Sequence, residues 1–296
     1  MPHQHNEVNK NNLIIVTILN FSITIAEVIG GIIAGSLSLV SDALHNLSDG
    51  VAIIISYLAI KISQKQNNER LTFGYKRAEI LAALFNSVVL LSISIYLFKE
   101  AYLKIINPQP IDGLLMIIVA MIGLLANFFS VLLLKKDSQK SLNIKSAYIH
   151  LLSDTLSSVG VVIGGILIYF YKIYFVDPIL TFLIGIYIIK ECLEIISETV
   201  EILMQATPKN IDINKIKEGI ESLNEVKNIH HVHIWQLNDS DIHFECHINL
   251  KENLTVTKII PIYEKIEKIL KNHNINHLTI QIEYECCQGV GLIKRA

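Results

Sequence analysis

The chain has 296 residues, 51% hydrophobic and 18% charged, with a mean hydropathy of +0.45, which is too apolar for an ordinary soluble domain. The formal charge of −2 says little, and no basic tail suggests nucleic acid as a partner. Four cysteines, Cys192, Cys246, Cys286 and Cys287, are too few and too unevenly placed for a disulfide framework.

The polar N-terminus, MPHQHNEVNKNN, reads as a cytosolic tail over residues 1–12. The apolar run after it is too long for a signal-peptide core and lacks a small-residue cleavage pattern, so it reads as a retained membrane helix. Spanning a bilayer takes roughly 20 mostly apolar residues. Six stretches qualify: about 13–34, 39–60, 79–103, 113–134, 146–170 and 178–203. Prolines in this region fall only in the connections, as helix breakers should. Residues 13–203 are thus predicted to form a six-helix transmembrane domain.

Orientation follows from the cations. Two loops hold Lys61, Lys65, Arg70, Lys76 and Arg77, and Lys135, Lys136, Lys140 and Lys145; the opposite side holds only Lys99, Lys104 and Lys172. The positive-inside rule places those loops and both termini in the cytosol. The last three cysteines then face a reducing compartment and stay free thiols.

From about residue 204 the pattern changes to that of a soluble domain, predicted as cytosolic over 204–296. Ile211 to Leu223 has helical spacing. Val226 to Leu237 and Asp241 to Leu250 read as strands around an Asn238-Asp239-Ser240 turn. Val256 to Asn272 is amphipathic, and Leu278 to Tyr284 alternates as a strand. The order α-β-β-α-β suggests a two-layer, ferredoxin-like α+β domain.

The chemistry concentrates in two repeats of one pattern. GSLSLVSDALHNLSDG carries His45 and Asp49, and YIHLLSDTLSSVG carries His150 and Asp154. Of the 11 histidines, only His45 and His150 lie in the apolar segments. Residues four apart share a helix face, so each segment aims an imidazole and a carboxylate at one point. Two such helices facing each other supply two nitrogens and two oxygens, a tetrahedral shell for Zn²⁺. The bland alternative is a pair of interhelical hydrogen bonds; the duplication argues against it, because intramembrane ionisable groups are costly. Two carboxylates offset a dication, and without metal they favour protonated histidines. Metal binding would expel those protons, which is the chemistry of an antiporter. Asp42 and Asn46 are candidate supports behind the ligands. For these two, as for Asn20, Glu27 and Asn127, interhelical packing is the competing reading.

GSLSLVSDALHNLSDG, RLTFGYKRAEILAALFN and the second His-x-x-x-Asp together resemble the cation diffusion facilitator family of metal/proton antiporters, from about residue 13 to the C-terminus. The resemblance implies six transmembrane helices, a cytosolic C-terminal domain and a homodimer. It also implies outward transport by alternating access driven by proton entry, with His45, Asp49, His150 and Asp154 as the transport site. His at the first position implies zinc over cadmium. The loop QKQNNERLTFGYKRAE lacks histidine, so the metal site that some members build there is expected to be absent. KKDSQKSLNIK likewise lacks the histidines for metal capture.

In the tail, the family pattern matches at HIW, CH and HLTIQIE. It implies His233, His247, His277 and Glu283 as zinc ligands of a regulatory or dimer-stabilising site. Strand alternation puts His231 and His233 on one face and His230 on the other, and whether His233 meets His247 depends on register. Inert reduced thiols are the favoured reading of Cys286 and Cys287, with soft metal ligation the alternative.

The resulting expectation is a zinc exporter exchanging cytosolic Zn²⁺ for external protons. It lies in a bilayer, most simply a bacterial cytoplasmic membrane, and uses Zn²⁺ as substrate and structural or regulatory ion, with no organic cofactor. An enzyme is disfavoured, since neither motif has the Glu of a His-Glu-x-x-His metalloprotease. A membrane-anchored metal sensor, a channel, and an exporter preferring cobalt, cadmium or nickel are the alternatives.

Overall fold

The computed structural model describes residues 10–135, 142–238, 241–287 and 291–293. Most of the N-terminal tail, much of the KKDSQKSLNIK loop and Asp239-Ser240 of the expected turn lie outside the described residues. Six long helices come first: α1 (Lys10–Ala34), α2 (Leu37–Ser63), α3 (Ala78–Ile106), α4 (Gly113–Leu134), α5 (Leu142–Tyr171) and α6 (Val176–Leu203). By length and composition, five of them are apolar enough to cross a membrane. The sixth, α6, is as long but interrupts its apolar run with Lys190, Glu191 and Glu194. Large apolar side chains such as Ile32, Ile33, Phe85, Leu156 and Phe170 point outward from these helices. That is the pattern of helices solvated by lipid rather than water. The protein is an integral membrane protein.

The chain divides into two compact units, one of the chain up to Leu58 with Ala82–Ile196, the other of Ala59–Leu81 with the chain from Ser197 onward. The sequence places Lys61 to Arg77 with the membrane helices; in the structure that segment belongs to the second unit. Its tie there is an ion pair, Lys76 Nζ to Asp241 Oδ2 at 2.7 Å, and an edge contact between the rings of Phe73 and His243.

In the first unit, α1 begins the bundle and turns sharply at Gly35, whose φ of 70° is a left-handed value that suits glycine. The start of α2 is tied to α6 by one carboxylate. Asp177 accepts from Ser36 Oγ and Ser38 Oγ, both at 2.6 Å, and from the backbone N–H groups of Leu37 and Ser38. Orphan donors at a helix start, in lipid, need such an acceptor. Asp112 caps α4 in the usual way, accepting from Leu114 and Leu115 N–H. Small residues let α4 and α5 approach: a Cβ on Gly165 would stand 2.9 Å from the Ile117 side chain.

In the second unit, α7 (Ile213–Glu221) is followed by β1 (Val226–Gln236), β2 (Ile242–Leu250), α8 (Val256–Lys271) and β3 (His277–Tyr284). The sheet order is β1-β2-β3, with β1 and β2 antiparallel and β2 and β3 parallel. This is the predicted α-β-β-α-β order. Ile216 and Ile220 of α7, Ile262, Ile266 and Leu270 of α8, and Phe244, Cys246 and Ile248 of β2 form one apolar core. Since side chains alternate along a strand, the other face of β2 carries His243, Glu245, His247 and Asn249.

Candidate metal centres

The first centre is built by α2 and α5. His45 and Asp49 sit one turn apart on α2, with His45 Nε2 3.7 Å from Asp49 Oδ2. On α5, His150 Nε2 and Asp154 Oδ2 are also 3.7 Å apart. Between the helices, His150 Nε2 lies 2.9 Å from Asp49 Oδ2, and the two imidazole rings meet edge-on at 5.7 Å. Donor atoms of His45, His150 and Asp154 all fall within 4.8 Å of one another. Ligands around a tetrahedral Zn²⁺ at about 2.0–2.1 Å stand roughly 3.3 Å apart, so the observed spacings bracket what a single ion would impose.

Burial is graded across the site. His45 and Asp154 are 5% and 3% exposed, whereas the side chains of Asp49 and His150 keep 32% and 36% of their surface. Both ring nitrogens of His45 and Oδ2 of Asp154 have no hydrogen-bond partner. Buried donors of this kind cost free energy unless something binds them. Beside them lies a cavity of about 300 Å³, lined by Asp42, His45, Asp154, Ser157, Leu180 and Tyr187 among others.

Behind the ligands, Ser157 Oγ donates to Asp42 Oδ1 at 2.8 Å, tying α5 to α2 one turn before His45. Asn46, the other expected support, points away to Glu27 of α1 instead. Tyr187 of α6, which the sequence reading passed over, presents its ring edge to His45 at 6.1 Å. Its only signal in the sequence is a polar tip within an apolar helix.

The second centre lies on the sheet. The four residues that the family pattern implies do not form one cluster. His247 Nδ1 and Glu283 Oε1 are 2.8 Å apart, but the third partner is His230, whose Nε2 is 3.3 Å from Glu283 Oε2. His230 is paired directly with His247 across β1 and β2, and it is 3% exposed with neither ring nitrogen in a hydrogen bond. Cys287 Sγ is within reach of His230 and Glu283, their donor atoms lying within 4.8 Å of one another. His233 is exposed and pairs with Glu245. His277 pairs with His243, six residues and so roughly 20 Å along β3 from Glu283.

The physical reason is a β-bulge. The register shifts between His230 and His233, and His231 has a φ of 52°. An extra residue reverses alternation beyond it. His230 and His231 therefore both approach His247, with ring centroids at 5.4 and 4.6 Å, against the alternation expected from an unbroken strand. Burial alone would raise the Glu283 carboxyl, but the His247 hydrogen bond and the nearby imidazoles bring it below its ordinary value, so it is held as an anion. Burial pushes the Cys246 thiol up, which leaves it an inert core group.

Two domain families match this chain: the cation efflux transmembrane domain over residues 13–204 and the cation efflux protein cytoplasmic domain over residues 208–285. The chain belongs to the cation diffusion facilitator family. It is similar to the cadmium, cobalt and zinc/H(+)-K(+) antiporter of Bacillus subtilis, 37% identical over 96% of this chain and 93% of the relative. Similarity extends to the metal cation efflux system protein CzcD of Cupriavidus metallidurans, at 34% identity over 97% of this chain and 90% of that protein. The zinc transporter ZitB of Escherichia coli is 34% identical, covering 90% of this chain and 84% of its own length. As a member of this family, the protein is a transporter for the efflux of divalent metal cations.

Proposed function

We propose that the protein exports Zn²⁺ from the cytosol in exchange for protons, by alternating access, as a homodimer in a bacterial cytoplasmic membrane with both termini cytosolic. The observation that carries this reading is the convergence of His45, Asp49, His150 and Asp154 from two helices, with unpartnered donors aimed into the bundle. Two carboxylates and two neutral imidazoles cancel the charge of one dication, so the loaded site crosses a low-dielectric region without net charge. When the metal leaves, the same imidazoles take protons, and this competition supplies the exchange.

The division of labour follows the chain: residues 13–203 carry the ion, and residues 204–296 bind metal and dimerise. On that second part the ligand set we favour is His230, His247 and Glu283, with Zn²⁺ as a regulatory or structural ion. A broader selectivity is the second reading, favoured by the cadmium and cobalt in the name of the Bacillus relative.

Zinc flux in proteoliposomes under an imposed pH gradient tests the proposal. Uphill zinc movement with proton counterflow, lost in Asp49→Ala/Asp154→Ala, is expected. Zinc binding without gradient-driven flux would convert the protein into a sensor, and purely downhill flux into a channel.

A further inference from the structure

Glu27 lies on α1, away from the metal ligands, and is 1% exposed. Its Oε2 accepts one long hydrogen bond, from Asn46 Nδ2 at 3.4 Å, and its Oε1 has no partner. Apart from Lys10 at its start, Glu27 is the one titratable residue of α1, and α4, packed against it, has none. What α4 presents is Gly123, where a Cβ would collide with Glu27 Oε1, and one turn on the buried Asn127, both of whose amide atoms are unpartnered. From α2 and α5 the charges that act on Glu27 are those of Asp42 and Asp154, both acidic. No cation faces Glu27 from any of these helices among the described residues.

In this conformation, with no metal in the site, an ionised carboxylate is unsustainable there: burial in low dielectric without a counter-charge costs many kcal/mol, and such groups neutralise until water reaches them. Either a metal cation or a proton can do this. An alkali cation needs several oxygens at a distance and a chamber to hold it, and Gly123 is pressed so closely on Oε1 that not even a methyl group fits. A proton needs no volume.

We propose that Glu27 is a proton-binding site separate from the metal ligands, and that its proton is one of those exchanged for the metal. This rests on the antiport reading above. Glu27 is linked to the transport site through Asn46, the neighbour of His45 on α2. When the dication seats at His45, Asp49, His150 and Asp154, α2 shifts and opens Glu27 through Asn46 to water, and its O–H bond breaks with the proton passing to that water on the side to which the site is open. When the metal leaves, the carboxylate regains a proton from the opposite side. Neutral carboxyl with empty site and carboxylate with loaded site are then the two preferred states, so metal and proton exclude each other without sharing a ligand.

The test compares full-length wild type with Glu27→Gln, which keeps the shape and the Asn46 contact but cannot ionise. Proton release on adding Zn²⁺ is measured in weakly buffered detergent solution. About one proton fewer per zinc at unchanged zinc stoichiometry is expected; an unchanged count overturns the proposal. In proteoliposomes, Glu27→Gln should retain downhill zinc flux and zinc–zinc exchange but lose gradient-driven accumulation, with Glu27→Asp restoring part of it. Accumulation equal to wild type would refute the role. Should Glu27→Gln fail to fold, infrared difference spectra of wild type decide: zinc must remove a protonated-carboxyl C=O band, one that shifts in Glu27→Asp. Absence of that loss sinks the idea. Absence of gradient-driven flux in wild type would instead refute the antiport reading, and the proton count would still decide Glu27.

Discussion

Asp49 Oδ2 stands 2.9 Å from His150 Nε2, so the carboxylate of one helix meets the imidazole of another across the bundle. Each His-x-x-x-Asp pair spans 3.7 Å within its own helix, and the closest approach in the site is the contact between the two motifs. Two helices thus hold one site, and any motion that parts α2 from α5 dismantles it.

Asp49→Asn should expose that dependence. The amide keeps the hydrogen bond to His150 but loses the charge that offsets the metal. Zinc affinity of the membrane site is expected to fall by more than tenfold, or upward of about 1.4 kcal/mol, with the protein still folded. Titration calorimetry on the purified protein reads this directly; unchanged affinity would remove Asp49 from the ligand set.

His45→Asp tests selectivity. Replacing the more buried imidazole by a third carboxylate removes a nitrogen donor and enlarges the opening. Cadmium transport is expected to appear beside zinc transport, measured as metal accumulation in vesicles. Zinc-only transport in that variant would mean that geometry elsewhere sets the preference, since donor type alone does not separate these ions.

On the sheet, the bulge makes a sharp distinction between two histidines three positions apart. His230→Ala should abolish one zinc-binding event in the second unit, because it removes a buried donor 3.3 Å from Glu283. His233→Ala should leave that event intact. Counting bound zinc in variants that already lack the transport site, by metal analysis after gel filtration, separates the two. The opposite result would restore the set that the family pattern implies.

Much of this was legible beforehand, for identifiable reasons. The His-x-x-x-Asp pairs depend only on the helical period, which is local, and the meeting of Asp49 with His150 requires only that the two helices face each other. That His230 rather than His233 approaches Glu283 is not legible in the sequence, because a bulge is a tertiary accommodation and alternation read from VKNIHHVHIWQ assumes that none exists. The allegiance of Ala59–Leu81 to the second unit rests on Lys76 meeting Asp241, a contact between residues 165 positions apart that no window of sequence reveals. Glu27 was seen as a polar residue in an apolar run, but its isolation became visible only with Gly123 packed against it.

His243 offers a pH readout outside the cluster of His230, His247 and Glu283. Its ring stacks on Trp235, the single tryptophan, at 5.3 Å and 19°, and touches His277 at 4.3 Å. Burial first, then the charges of His277 and Lys76, push His243 below its usual value of 6.5, against the opposing pull of Asp241. A histidine depressed in the folded state is neutral there while the unfolded chain still takes up a proton. Its contribution is therefore complete above about pH 6.5 and is lost as pH falls through the window beneath it. In chelator-containing buffer, Trp235 fluorescence is expected to drop over that window, because a protonated imidazole stacked on indole quenches it, and thermal stability of the second unit should decline in parallel. His243→Gln should flatten both profiles. Lys76→Ala should move the His243 midpoint up, by removing a repelling cation, while changing stability by no more than about 1 kcal/mol, since the Lys76–Asp241 pair is part-exposed. A midpoint above 6.5, or a fluorescence change that survives His243→Gln, would show that the burial of this imidazole does not govern its titration.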